Sequence, residues 1–263
     1  MRTPSLHRFR TGLLAFGLVS GVLVACGDDG STSTTDGPTT QVPTTPAATT
    51  PAPGATDMGS NVESLSYLIQ GLLTTEQIGG GWVDQGRRII PPGSDQLTGF
   101  LCPDGEAAVR ALGGRFDPQV GTDHRRPDDV GLSVSESLMW GDREQVTADF
   151  ETFTSAVEGC AGTPYTTTDI GELTLVVEDP PAVGVAAFAF RFAPTTTPTD
   201  TPWIDSQTTL VLLSDPAEPI ALVLWVGATT VHDPAGTEVT TIDPAEYTRI
   251  VETAVSRIVD EGL

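Results

Sequence analysis

The chain contains no lysine. That excludes Schiff-base chemistry and a P-loop, because both need a lysine amine. Histidine and cysteine are nearly as scarce, with three of each in 263 residues. No G-x-S-x-G, H-E-x-x-H or EF-hand loop occurs, so no catalytic constellation and no metal site is expected. Nothing in the chain calls for a cofactor either, and it is read as a non-enzyme. Positive charge is sparse too: 13 arginines face 35 acidic residues, for a net charge of −22. Such a surface repels nucleic acid and anionic lipid headgroups, which excludes nucleic-acid binding. Arginine as the basic residue, with abundant Ala, Gly, Thr and Asp, points to a GC-rich actinobacterial genome.

Long apolar runs are also lacking. The longest, Gly12 to Ala25, is about 14 residues, short of the ~20 needed to span a bilayer. It follows a basic start at Arg2, Arg8 and Arg10 and ends in Leu23-Val24-Ala25-Cys26. A basic n-region, a short apolar stretch and a small residue before cysteine make a bacterial lipobox. The expectation is therefore a lipoprotein signal peptide over residues 1–25, cleaved before Cys26, whose thiol carries a diacylglycerol. This places the protein on the extracytoplasmic face of the cell membrane, held there by its lipid. Cleavage leaves 10 basic against 35 acidic residues.

Residues 26–61 are mostly Thr, Ser, Pro, Gly, Ala and Asp. They hold almost nothing large enough to bury and read as a disordered tether. Such a tether reaches about 100 Å when extended and roughly 30 Å as a coil, enough to hold a domain in the cell-wall zone. Residues 62–263 are long enough for one domain with a real core.

In an oxidising space the two remaining cysteines, Cys102 and Cys160, are expected to pair. The rival readings are a metal pair, which needs more ligands, and a catalytic thiol. Neither His124 nor His232 lies near a cysteine in sequence.

Apolar spacing marks a helix over Val62–Leu73, and Thr74 to Gln77 resembles a capping box opening a second, short helix. Asp104 is read as the cap of a helix over Gly105–Leu112, and Gly121 to Asp129 as a polar loop. Val130 to Trp140 alternates as a strand whose apolar face is interrupted at Glu136 alone. Asp142 to Gly159 carries the stripe Val146, Phe150, Phe153 and Val157 of an amphipathic helix. Strands follow at Leu173–Val177, Val185–Ala193, Thr208–Leu213 and Ile220–Val226. The last two are apolar on both faces and read as central strands. Asp243-Pro244-Ala245-Glu246 then opens a final helix. The fold class is α+β, an antiparallel sheet flanked by helices.

The order of elements and cysteines resembles the PknH-like extracellular sensor-domain family, found in actinobacterial lipoproteins and receptor kinases. The resemblance runs from Leu72-Leu73-Thr74, through Cys102 before a helix and Phe150 and Phe153 on a long helix, to Cys160 at that helix's end. It covers about Val62 to Leu263. Two departures stand out: Val157 occupies a place where members often carry tryptophan, and no second disulfide is available. The resemblance implies a cleft that binds an unidentified ligand.

Three arginines are candidates for contacting such a ligand. Arg125 and Arg126 lie beside His124 and could together clamp a carboxylate or phosphate. The bland alternative is a solvated loop. Arg191 sits on the strand face opposite Phe188, Phe190 and Phe192, among alanines that leave room for a groove. Its alternative is a structural ion pair. Trp82, Trp140, Trp203 and Trp225 could line a sugar or lipid site, but aromatics in sheet proteins are more often core or rim. The expected partners are the membrane, through the lipid anchor, and a small-molecule or cell-wall ligand. The alternative is an envelope scaffold that binds another protein without a small ligand.

Overall fold

The computed structural model describes residues 62–91, 100–167, 171–184, 186–196, 203–232 and 241–260. Cys26, the signal peptide and the tether lie outside the described residues. Among the described residues, thirteen elements make the fold. They begin with α1 (Val62–Gly71), α2 (Thr75–Ile78), β1 (Val83–Ile89), α3 (Pro103–Arg110), β2 (Val120–Arg126), β3 (Asp129–Asp142) and α4 (Arg143–Cys160). Then come β4 (Tyr165–Thr167), β5 (Gly171–Glu178), β6 (Ala186–Pro194), β7 (Trp203–Ser214), β8 (Ile220–His232) and α5 (Pro244–Asp260). Met58–Leu263 is one compact unit.

The eight strands form one sheet in the order β1-β2-β3-β8-β7-β6-β5-β4. Every neighbouring pair is antiparallel. Two meanders therefore meet in the middle. The first, β1 to β3, ends where α4 carries the chain to the far edge. The second runs back from β4 until β8 closes against β3, from Leu132↔Thr230 to Asp142↔Ile220. This is the α+β architecture expected from the sequence.

Alternation along the central strands splits the core in two. On one side Leu132, Val134, Leu138, Val211 and Leu224 pack with α1, α2 and α5. On the other, Met139, Leu210, Leu212, Val223 and Trp225 pack with α3 and α4. β7 and β8 are covered on both faces, which is why they read as continuous apolar runs.

Helix ends follow local chemistry. Asp142 Oδ1 accepts the Gln145 amide at 3.1 Å and caps α4. Asp243 Oδ1 accepts the Ala245 and Glu246 amides at 2.9 and 3.1 Å at the start of α5. The Thr74 amide donates to Gln77 Oε1 at 2.9 Å, and α2 opens with the expected capping box. α3 starts earlier than expected. Cys102 is its N-cap, Pro103 its first residue, and Asp104 lies in its first turn. Proline at the first helical position needs no hydrogen-bonded amide, and its fixed φ suits that place.

The segment read as a polar loop is instead strand β2. Its inward positions Val120, Thr122 and His124 are all buried, and two of the three are polar. Hydropathy alternation was therefore absent although the strand is half-buried. β1 and β4 were not anticipated. β1 is an edge strand with mostly exposed residues, so burial left no pattern on it to read.

Candidate functional site

The Cys102–Cys160 disulfide joins the N-terminus of α3 to the C-terminus of α4, with Cα atoms 5.5 Å apart. The two helices approach closely because residue 105 is glycine. A Cβ there would stand 2.5 Å from Cys160 Sγ and 3.0 Å from the Ala156 carbonyl. Residues of both helices line an open groove of about 740 Å³. Its walls are small: Gly105, Ala108, Ala148, Ala156 and Gly159. Thr152 and Ser155 supply hydroxyls, and Asp104 and Glu151 supply carboxylates. The groove offers hydroxyls and acceptors without a cation among its lining residues, so it suits a ligand bearing amine or hydroxyl groups.

The apolar stripe of α4 packs into an aromatic cluster. Phe153 is fully buried, 5.4 Å from the Phe116 ring and 5.0 Å from Trp225, edge-on to the latter. Asp149, also on α4 and buried, accepts Arg115 Nη2 at 3.2 Å and Gln145 Nε2 at 2.9 Å.

The candidate arginines are not gathered at this groove. Arg125 and Arg126 are consecutive on β2, and the register with β3 shifts between them. Arg126 chelates Glu246 of α5 at 2.5 and 2.6 Å. Its guanidinium lies 4.8 Å from the centre of the Trp82 ring, whose Nε1 donates to the same Glu246 at 3.2 Å. This triangle ties the start of α5 to β2 and to the turn after α2. Arg191 does lie beside Ala187 and Ala189 on its strand, but Asp205 occupies its fork: Nε donates to Oδ1 at 2.7 Å and Nη2 to Oδ2. That pair raises the guanidinium pKa further, chiefly through the hydrogen bond to Asp205. The carboxylate an anionic ligand would have supplied comes from the neighbouring strand.

The tryptophans are dispersed. Trp82 and Trp225 are buried in opposite halves of the core, Trp140 packs against the first half, and Trp203 stacks on His232 with ring centres 3.7 Å apart.

One cluster escaped sequence reasoning. On the α1 side of the sheet, Glu136 and His124 are completely buried. Glu136 Oε2 accepts the Leu73 amide at 2.7 Å, across 63 residues of sequence. Among the described residues, Oε1 has no partner, and neither does either ring nitrogen of His124. Burial pushes the Glu136 carboxyl up to about 8, against the opposing pull of the Leu73 amide, Arg87 and Arg257. Burial lowers the His124 pKa, with Asp84 and Asp123 opposing. The signal available in the sequence was the single acidic break in β3's apolar face.

Among the described residues, no group of three or more His, Cys, Asp or Glu could hold a metal ion, and no helix is long and apolar enough to cross a membrane. No family model matches the chain, and no curated protein matches it.

Proposed function

We propose that the protein is a membrane-tethered extracytoplasmic lipoprotein, acylated at Cys26, whose domain binds a cell-wall-derived ligand in the α3–α4 groove. The reading is of the PknH-like sensor type. The observation that carries it is the groove itself: about 740 Å³, lined by small residues with two hydroxyls and two carboxylates, beside a disulfide. The volume lies within the range usual for ligand sites. A disulfide suits an oxidising compartment, in keeping with the lipobox. Amine- and hydroxyl-bearing ligands are favoured because acceptors dominate the rim.

Native mass spectrometry of the protein purified from its producing cells tests this. A co-purified mass that disappears in Ala148→Trp, with the fold unchanged by circular dichroism, supports the groove. A bound mass indifferent to that substitution places the site elsewhere. Cys26→Ser should release the protein from the membrane fraction. If it stays membrane-bound, the anchor is something other than the Cys26 lipid. The second reading is an envelope scaffold that docks a protein segment. It is favoured by the groove being open rather than enclosed, and a pure ligand-free protein that captures an envelope protein by cross-linking from Ser155 would establish it.

A further inference from the structure

The corner made by α1 and α2 lies over the buried Glu136–His124 cluster, and polar contacts converge on its backbone. Arg87 of β1 donates to the Ile69 and Leu72 carbonyls at 3.1 and 3.3 Å. Arg257 of α5 donates to the Gln70 carbonyl at 3.1 Å. Arg249 of α5 donates to the Gln77 carbonyl at 3.4 Å and to that of Ile78. The Leu73 amide, at the bend, donates down to Glu136. Leu68, Leu72, Leu73 and Ile78 complete the seal, each at most 1 % exposed.

Under this seal the polar groups are not balanced. Thr122, directly across from Glu136 on β2, is fully buried, and its hydroxyl donates to Asp84 Oδ1 at 3.2 Å. His124 is the next inward residue on β2, opposite Val134. β8 presents only Val226 across from Glu136. The titratable and charged groups on the elements packed around the carboxyl are Asp84 and Arg87 of β1, His124 of β2 and Arg257 of α5, and of these the two arginines pull on the carboxyl. The two arginines donate to α1 carbonyls and also pull on the Glu136 carboxyl through space. A carboxylate sealed here would hold its charge on a single amide hydrogen bond, which is costly in a water-free interior. A protonated carboxyl avoids that cost.

We propose that the α1–α2 corner is a proton-controlled latch: it stays closed over the sheet while Glu136 carries its proton, and it opens when that proton is lost. The corner contributes no strand, so the sheet stays paired when it lifts. Opening lets water reach both carboxyl oxygens, which removes the penalty for charge. Burial already moves the carboxyl into the range where small pH changes act, and His124 stays neutral over that range. Because α1 directly follows the tether, the state of this proton decides whether the tether's attachment point is docked or free.

The test is hydrogen exchange by mass spectrometry on the full mature chain, corrected for the intrinsic pH dependence of exchange. Between about pH 7 and about pH 9, opening of residues 62–78 should increase about tenfold, as proton linkage to a group titrating near 8 requires. Amides of β7 and β8 should stay protected. Glu136→Gln, neutral at every pH, should abolish the increase. The proposal is overturned if residues 62–78 are equally protected at both pH values, if β7 and β8 lose protection in step with them, or if the increase persists in Glu136→Gln. Should that variant not fold, carbon NMR of the Glu136 carboxyl decides. A midpoint near 8, with the Leu73 amide shifting in parallel, supports the latch. A midpoint below about 6 overturns it.

Discussion

The two faces of the sheet are built on different principles. The α3–α4 face is aromatic and covalently clamped. Phe116, Phe150, Phe153, Phe188, Phe190 and Phe192 fill it together with Trp225, and the Cys102–Cys160 bridge locks its two helices. The α1–α2–α5 face is mostly aliphatic and encloses polar side chains. Glu136, His124 and Thr122 lie there at 0 % exposure. One face derives its stability chiefly from apolar area and cross-linking, with the buried Asp149 carboxylate paired to Arg115 and Gln145. The other depends on keeping ionisable groups uncharged.

The sharpest way to break the comparison is to hollow out the aromatic face. Phe153→Ala should cost about 4 kcal/mol, because the ring is fully enclosed and its neighbours cannot collapse onto the void. Denaturant titration at several pH values should show the loss to be constant across them. Removing the bridge with Cys102→Ser and Cys160→Ser comes next. Freeing a loop with a sequence separation of 58 should lower stability by about 3 kcal/mol, again without pH dependence.

The opposite face should give a slope instead of a step. Glu136 is raised from 4.5 to about 8, so between those values the unfolded chain has released a proton that the native state keeps. Its contribution is therefore complete below about 4.5 and is lost as pH rises through about 8. The steepest loss is about 1.4 kcal/mol per pH unit. His124 acts in the reverse sense. Its lowered pKa means that the unfolded chain takes up the proton first as pH falls through 6.5, so stability declines below that point. Unfolding free energy against pH should show a maximum in mildly acidic solution, and Glu136→Gln should flatten only its alkaline side. Smallest is Tyr247→Phe. The hydroxyl donates to the Val226 carbonyl at 2.8 Å, and burial pushes its pKa up. Its loss should cost about 1 kcal/mol by thermal or chemical denaturation.

What could be read beforehand was whatever left a hydrophobic period. β3, α4, β7, β8 and α5 announced themselves by apolar spacing and by Asp142 and Asp243 at their caps. Cys102 and Cys160 were placed correctly at helix ends. β2 stayed hidden because its buried positions include Thr122 and His124, and β1 because an edge strand buries little. The pairing of Arg191 with Asp205 depends on two strands meeting in register, which no local pattern encodes. The same is true of Glu136. Its place on an apolar face was visible, but the amide it serves belongs to a bend 63 residues away.

The closing strand has a consequence for how the molecule comes into being. β8 is held between β3 and β7, and its pairing with β3 brings Leu132 against Thr230. A chain that emerges amino end first therefore waits, with two half-sheets exposing their raw edges, until almost its entire length is available. Unpaired backbone of that kind invites association with other chains, and distant pairings of this sort form slowly.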